Sequence, residues 1–177
     1  MRNTSGVRMQ KYFGRAERRV GVESRARRTA AVVRRFHADD VESLMAVEKE
    51  SPEAAKWSKE SYLQHSKDSG AVFLVTEEGG KITGFLVGRV VGDQGEVFNL
   101  AVKQGHRHLG RGKALISKAA EEFESRGVKN VYLEVRESNT GAIAFYEGQG
   151  FAKTGRRKGY YREPDEAAVT MEKKLTG

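Results

Sequence analysis

The run Arg107-His108-Leu109-Gly110-Arg111-Gly112 has the residue types to hold an anion. It falls between a predicted strand, Val97–Val102, and a predicted helix with apolar residues at Leu115, Ile116, Ala119, Ala120 and Phe123. Glycine lets the backbone approach a ligand with no Cβ in the way. The free N–H groups of the helix's first turn, aligned with the helix dipole, then favour a phosphate. The pattern is neither the Gly-Lys-Ser/Thr P-loop nor G-x-G-x-x-G. His106 and His108 flank Arg107. A metal site would need more ligands than the sequence supplies, so they read as positive charge beside the phosphate.

Three further polar residues stand out. Glu134 lies in a predicted strand, Val131–Val135, on the face opposite Val131, Leu133 and Val135. Parallel strands are usually covered on both faces, so a carboxylate there is either half exposed or functional. Tyr146 follows Asn139 by two helical turns, and both can share one helix face. Tyr146 reads either as a core tyrosine or as a working hydroxyl. Asn139 reads as the N-cap of the helix that ends at Gly150.

The elements that must position these groups can be read in order. Ala31–Phe36 is a predicted strand, and Asp39 or Asp40 is expected to cap a helix carrying Val41, Leu44, Met45 and Val47. Glu48 to Trp57 is a loop, and Ser58 to Lys67 a second helix. Val72–Thr76 and Ile82–Val91 are strands joined by Glu78-Gly79-Gly80, with Gly84 and Gly88 marking twist or a bulge. Gly92 to Gly95 turns into the Val97–Val102 strand. Gly127-Val128 reads as a helix stop with its hydrophobic contact. Lys153–Tyr161 and Ala167–Leu175 read as a hairpin around Pro164-Asp165.

Taken together, Asn99-Leu100-Ala101-Val102, Arg107-x-x-Gly110-x-Gly112, Leu133-Glu134-Val135-Arg136-x-Ser138-Asn139 and Ala144-Phe145-Tyr146-x-x-x-Gly150-Phe151 resemble the GNAT family of acetyl-CoA-dependent N-acetyltransferases. Within it they look most like the ribosomal-protein-alanine N-acetyltransferase (RimI) branch. The resemblance covers roughly residues 32–174. It implies an α/β fold whose mixed central sheet splays between the Val97–Val102 and Val131–Val135 strands, with helices on both faces. The pantetheine arm would lie in the splay on backbone groups of Leu100, Ala101 and Val102. Amides of His108, Leu109, Gly110, Arg111, Gly112 and Lys113, with Arg107, would hold the pyrophosphate. The resemblance also makes Glu134 a general base, Tyr146 a general acid toward the departing thiolate, and Asn139 a CoA contact. It places the Glu48–Trp57 region beside the acceptor. Relatives there have Pro-Trp-Ser, where this chain has Lys56-Trp57-Ser58. Trp57, Tyr160 and Tyr161 either line the acceptor groove or belong to an aromatic core.

The resemblance therefore implies acetylation of a protein N-terminal α-amine, alanine of a small-subunit ribosomal protein, with acetyl-CoA as co-substrate and no metal. A small-amine acetyltransferase and a CoA-binding or RNA-associated module without turnover are the alternatives. Composition adds limits. There is no cysteine among 177 residues, which excludes disulfides and a thiol nucleophile and fits the cytoplasm. No apolar run is long enough to span a membrane. Of 32 Lys and Arg, 11 lie in residues 1–35, against two of the 24 acids, Glu17 and Glu23. Residues 1–30 thus read as a basic flexible arm before a GNAT domain at 31–177. The arm is open to three readings, a misplaced start with Met9 downstream, a targeting segment or an RNA-contacting tail.

Overall fold

The computed structural model of the protein describes residues 30–175. The basic arm expected over residues 1–30 lies outside them except for Ala30. Seven strands and four helices follow in order. They are β1 (Val32–Arg35), α1 (Val41–Lys49), α2 (Lys59–His65), β2 (Ala71–Glu78), β3 (Lys81–Val91), β4 (Gln94–Val102), α3 (Arg111–Ser125), β5 (Asn130–Arg136), α4 (Thr140–Gly148), β6 (Ala152–Arg162) and β7 (Asp165–Lys174). The strands form one sheet in the order β1-β2-β3-β4-β5-β7-β6. Only β4 and β5 are parallel; every other pair is antiparallel.

Alternation in β2 sends Val72 and Leu74 to one face and Phe73 and Val75 to the other. The first face packs under Leu115, Ile116, Ala119 and Phe123 of α3 and under Ile143 and Tyr146 of α4. The second packs under Val41, Leu44 and Val47 of α1 and Tyr62 of α2. The expected arrangement, a mixed sheet with helices on both faces, is the one observed. Among the described residues no helix is long and apolar enough to cross a membrane.

Local sequence explains the helix ends. Gly127 takes φ 77°, its N–H donates to the Glu124 carbonyl, and Val128 N–H donates to the Phe123 carbonyl. These two bonds and the Val128–Phe123 contact in the core make a Schellman stop. Gly150 and Phe151 repeat it at the end of α4, with φ 87° and bonds to Glu147 and Tyr146. Ser58 caps α2 by accepting from Ser61 N–H. The expected Asp39 or Asp40 cap differs. A 3₁₀ turn, Ala38–Asp40, precedes α1, and the Asp40 carboxylate reaches back to His37 N–H and to Arg34. That guanidinium holds the Asp40 carboxyl below its ordinary range.

Phe123 is fully buried and lies over the sheet where β3 and β4 carry glycine. A Cβ on Gly95 would meet its ring at 2.9 Å, and one on Gly88 would come within 2.6 Å of the Glu96 carbonyl oxygen. The ring therefore fills a hollow that these strands leave by lacking side chains. We expect Phe123→Ala to lower unfolding free energy by about 3–5 kcal/mol in denaturant titrations, the usual cost of such a cavity.

Candidate active site

The parallel pair β4–β5 runs in register only from Gln94↔Asn130 to Val97↔Leu133. At the next residue β4 bulges. Opposite β3, Val87 pairs with Asn99 and Gly88 with Val97, so Phe98 is the extra residue. From there the β5 side of β4 has no strand partner, while β5 continues alongside β7 to Arg136. The splay expected between the two strands is present. The bulge also resets which way side chains point. Val97 faces the α3 core, yet Asn99 and Ala101 face the α1–α2 side, and Leu100 and Val102 face α3.

The loop from Arg107 to Lys113 closes one end of this opening. His108 has φ 58° and Gly110, the residue before α3, has φ 77°. Among the described residues, none of the six backbone N–H groups from His108 to Lys113 donates to a protein acceptor. Six free amides at the N-terminus of a 15-residue helix form a cradle for an anion. A Cβ at Gly110 would meet nothing within 4 Å, so φ is what requires glycine there. Gly112 is glycine for packing, since its Cβ would sit 3.1 Å from Phe145 Cζ.

Both arginines of this loop are committed elsewhere. Arg107 Nε donates to the Val102 carbonyl at 3.0 Å and Nη2 to Ser51 Oγ at 3.4 Å, with Glu53 at 3.6 Å. Arg111 pairs with Glu78 at 2.8 Å, and His106 lies 3.8 Å from the same carboxylate. Thus the cradle is mainly backbone, and Glu78 at the end of β2 pins the loop to the β2–β3 hairpin.

Across the opening, Glu134 is half-buried on β5 and accepts from Arg157 Nη1 at 2.5 Å. The guanidinium of Arg157 stacks over the Tyr160 ring at 4.5 Å. Hydrogen bonding to Glu134, then burial, pushes the Tyr160 hydroxyl up to about 12. The Arg136 guanidinium carbon lies over the Tyr161 ring, 4.0 Å from its centroid, and Arg136 pairs with Glu166. Tyr146 on α4 is buried, its ring against Phe145 and Phe151. Among the described residues its hydroxyl has no hydrogen-bond partner. Burial first, and the nearby Tyr161, push that hydroxyl above its ordinary range, so it keeps its proton. Asn139 Oδ1 caps α4 by accepting from Ala142 N–H at 3.0 Å, the simpler of its two expected roles.

The α1–α2 connection holds residues that the sequence reading passed over. Glu48 is 5% exposed and accepts from the Tyr62 hydroxyl and from Trp57 N–H at 3.2 Å. Asn99 Nδ2 donates to the Ala55 carbonyl at 2.9 Å and to Tyr62 at 3.2 Å. Burial, then Glu48, raises the Tyr62 hydroxyl above its ordinary range. Both signals were in the sequence. Glu48 continues the Val41–Leu44 stripe at helical spacing, and Asn99 is the polar member of an apolar strand. Trp57 stacks on Tyr62 at 5.3 Å, which places it in an aromatic cluster with His65 and Phe98.

Comparison with known proteins agrees with this geometry. Residues 38–151 match the family model described as "Acetyltransferase (GNAT) family". The "[Ribosomal protein bS18]-alanine N-acetyltransferase" of Escherichia coli (strain K12) is 37% identical over 120 residues, 67% of this chain and 80% of that protein. The protein of the same name from Haemophilus influenzae is 32% identical over 144 residues, 80% of this chain and 97% of its own. Among solved structures, the ribosomal-protein-S18-alanine N-acetyltransferase from Escherichia coli superposes with TM-score 0.74 at 28% identity, covering 84% of this chain and 96% of that one. Ard1 from Thermoplasma volcanium gives 0.78 at 27%, covering 84% and 100%. The chain thus belongs to the GNAT family of acetyltransferases and is itself an N-acetyltransferase.

Proposed function

We propose that the chain transfers an acetyl group from acetyl-CoA to a protein N-terminal α-amine, that of alanine at the start of ribosomal protein bS18. The observation that carries the acceptor is the 37% identity, over 80% of its length, to a protein named for that reaction. We place the reaction in the cytoplasm, where ribosomal proteins are made, and the basic arm, residues 1–30, would add a salt-sensitive attraction to RNA.

The site fits the co-substrate. The six free amides of residues 108–113 match the oxygens of a pyrophosphate, and the edge of β4 at Leu100–Val102, which has no strand beside it, matches the amides of a pantetheine arm. Bound acetyl-CoA supplies an activated thioester. Glu134 accepts the proton that the attacking amine must lose, directly or through water. The amine competes with Arg157 for this carboxylate. Tyr146, kept protonated by burial, donates to the sulfur as it leaves. Direct attack needs no enzyme nucleophile, in keeping with a chain without cysteine. An α-amine has a pKa of about 7.7–8.0 against about 10.4 for lysine, so one carboxylate is base enough for it near neutrality.

Three outcomes test this. CoA should raise the melting temperature, because a ligand that binds only the native state stabilises it. Gly110→Asp should weaken that rise by placing a carboxylate beside the phosphates, and calorimetric CoA affinity equal to wild type would remove the loop from the site. Glu134→Gln and Tyr146→Phe should each lower kcat about 10²–10⁴-fold with CoA affinity retained; steady-state kinetics at neutral pH checks both, and wild-type turnover would exclude that residue. For the acceptor, a peptide with a free N-terminal alanine should be acetylated with far higher kcat/KM than the same peptide blocked but carrying lysine, or than small amines. Preference for either competitor by product mass would refute the N-terminal assignment.

A further inference from the structure

We propose that Asn99 and the Glu48–Tyr62 pair are positioning residues for the acceptor. They fasten the segment between α1 and α2 to β4, so that one wall of the acceptor groove is set by the strand that also carries the thioester arm. The proposal rests on the N-terminal acetylation reading and specifies what aligns the acceptor within it.

Two independent ties join this segment to the cofactor side. Asn99, the first residue after the bulge, holds the Ala55 carbonyl at 2.9 Å. Arg107, at the head of the phosphate loop, is fixed to β4 through the Val102 carbonyl and reaches Ser51 at 3.4 Å and Glu53 at 3.6 Å. Residues 51–55 therefore lie against β4 along the stretch where it has left β5.

The chemistry of the tie is costly for a purely structural one. Burying a carboxylate carries a penalty of several kcal/mol that partners only partly return, and apolar replacements are often as stable. Glu48 is nonetheless buried beside the second core, and its Oε2 accepts from both the Tyr62 hydroxyl and the Trp57 amide. Lys56 Nζ closes the segment by donating to the carbonyls of Glu48 at 2.6 Å and Ser51 at 3.0 Å. Such directional bonds specify one loop geometry, which greasy contacts alone would not. Asn99 then ties that geometry to β4 through the same Tyr62 hydroxyl.

The test uses Asn99→Ala, Tyr62→Phe and Glu48→Gln in the full chain, with a free N-terminal alanine peptide and saturating acetyl-CoA. KM for the peptide should rise about tenfold in Asn99→Ala and Tyr62→Phe, the scale of one lost buried hydrogen bond. Their kcat and calorimetric CoA affinity should stay within about twofold of wild type, a split that general core damage would not give. Glu48→Gln, which keeps an acceptor oxygen, should fall between them and wild type. Hydrogen exchange supplies a readout independent of turnover: the Trp57 amide should exchange about tenfold faster in Asn99→Ala without any substrate. Unchanged KM and unchanged Trp57 exchange would overturn the proposal, as would a parallel loss of CoA affinity. If wild type itself ignores the peptide, the acceptor reading fails instead, and the Trp57 exchange still decides the tie. Should Tyr62→Phe or Glu48→Gln not fold, Asn99→Ala alone decides.

Discussion

Everything at the site depends on β4 leaving β5 after Val97. One additional residue, Phe98, accomplishes this. A bulge sharpens local twist and interrupts pairing. Here it leaves β4 without a strand neighbour at Leu100–Val102 on the β5 side, where the Val102 carbonyl is taken up by Arg107. It also shifts the alternation by one, turning Asn99 toward α1 and α2 while Leu100 and Val102 go to α3. A single insertion thus opens the sheet between β4 and β5 and turns successive side chains of β4 toward different helices.

Three arginines around the opening already have an anion. Arg111 is held by Glu78, Arg157 by Glu134, Arg136 by Glu166. Beside them stand weak, preorganised groups, the amides of residues 108–113 and the Tyr146 hydroxyl. Fixed dipoles need no reorganisation when charge develops beside them. Arginine pairs at the rim instead set geometry, and being partly exposed they add little to stability.

Much of this was legible in the sequence. The alternation of Val131, Leu133 and Val135 fixes which face Glu134 takes, and glycine at 127 and 150 marks both helix stops because only left-handed backbone completes those bonds. Asn139 is a cap by residue type and spacing. Other features depend on partners distant in the chain. The position of the bulge follows from the register between β3 and β4, which neither strand encodes alone; Gly88 marked the neighbourhood but not Phe98. Asp40 abandons its cap because Arg34, on β1, is brought beside it. Arg107 belongs to a phosphate-loop pattern, but its long side chain finds Ser51, 56 residues earlier. Glu48 was hidden because a carboxylate on an apolar stripe ordinarily signals the end of that stripe.

The place of β7 has a consequence for how the protein comes into being. It is made after β5 and β6 yet lies between them, with Thr170 opposite both Glu134 and Gly155. As the polypeptide emerges from the ribosome, β5 has an open edge and β6 has nowhere to dock until β7 arrives. Arg157 and Tyr160 reach Glu134 only across that last strand. The end of the cleft that holds Glu134 is therefore the final part to assemble, and a nascent chain that already holds the whole 107–113 loop still lacks the Arg157–Glu134 pair.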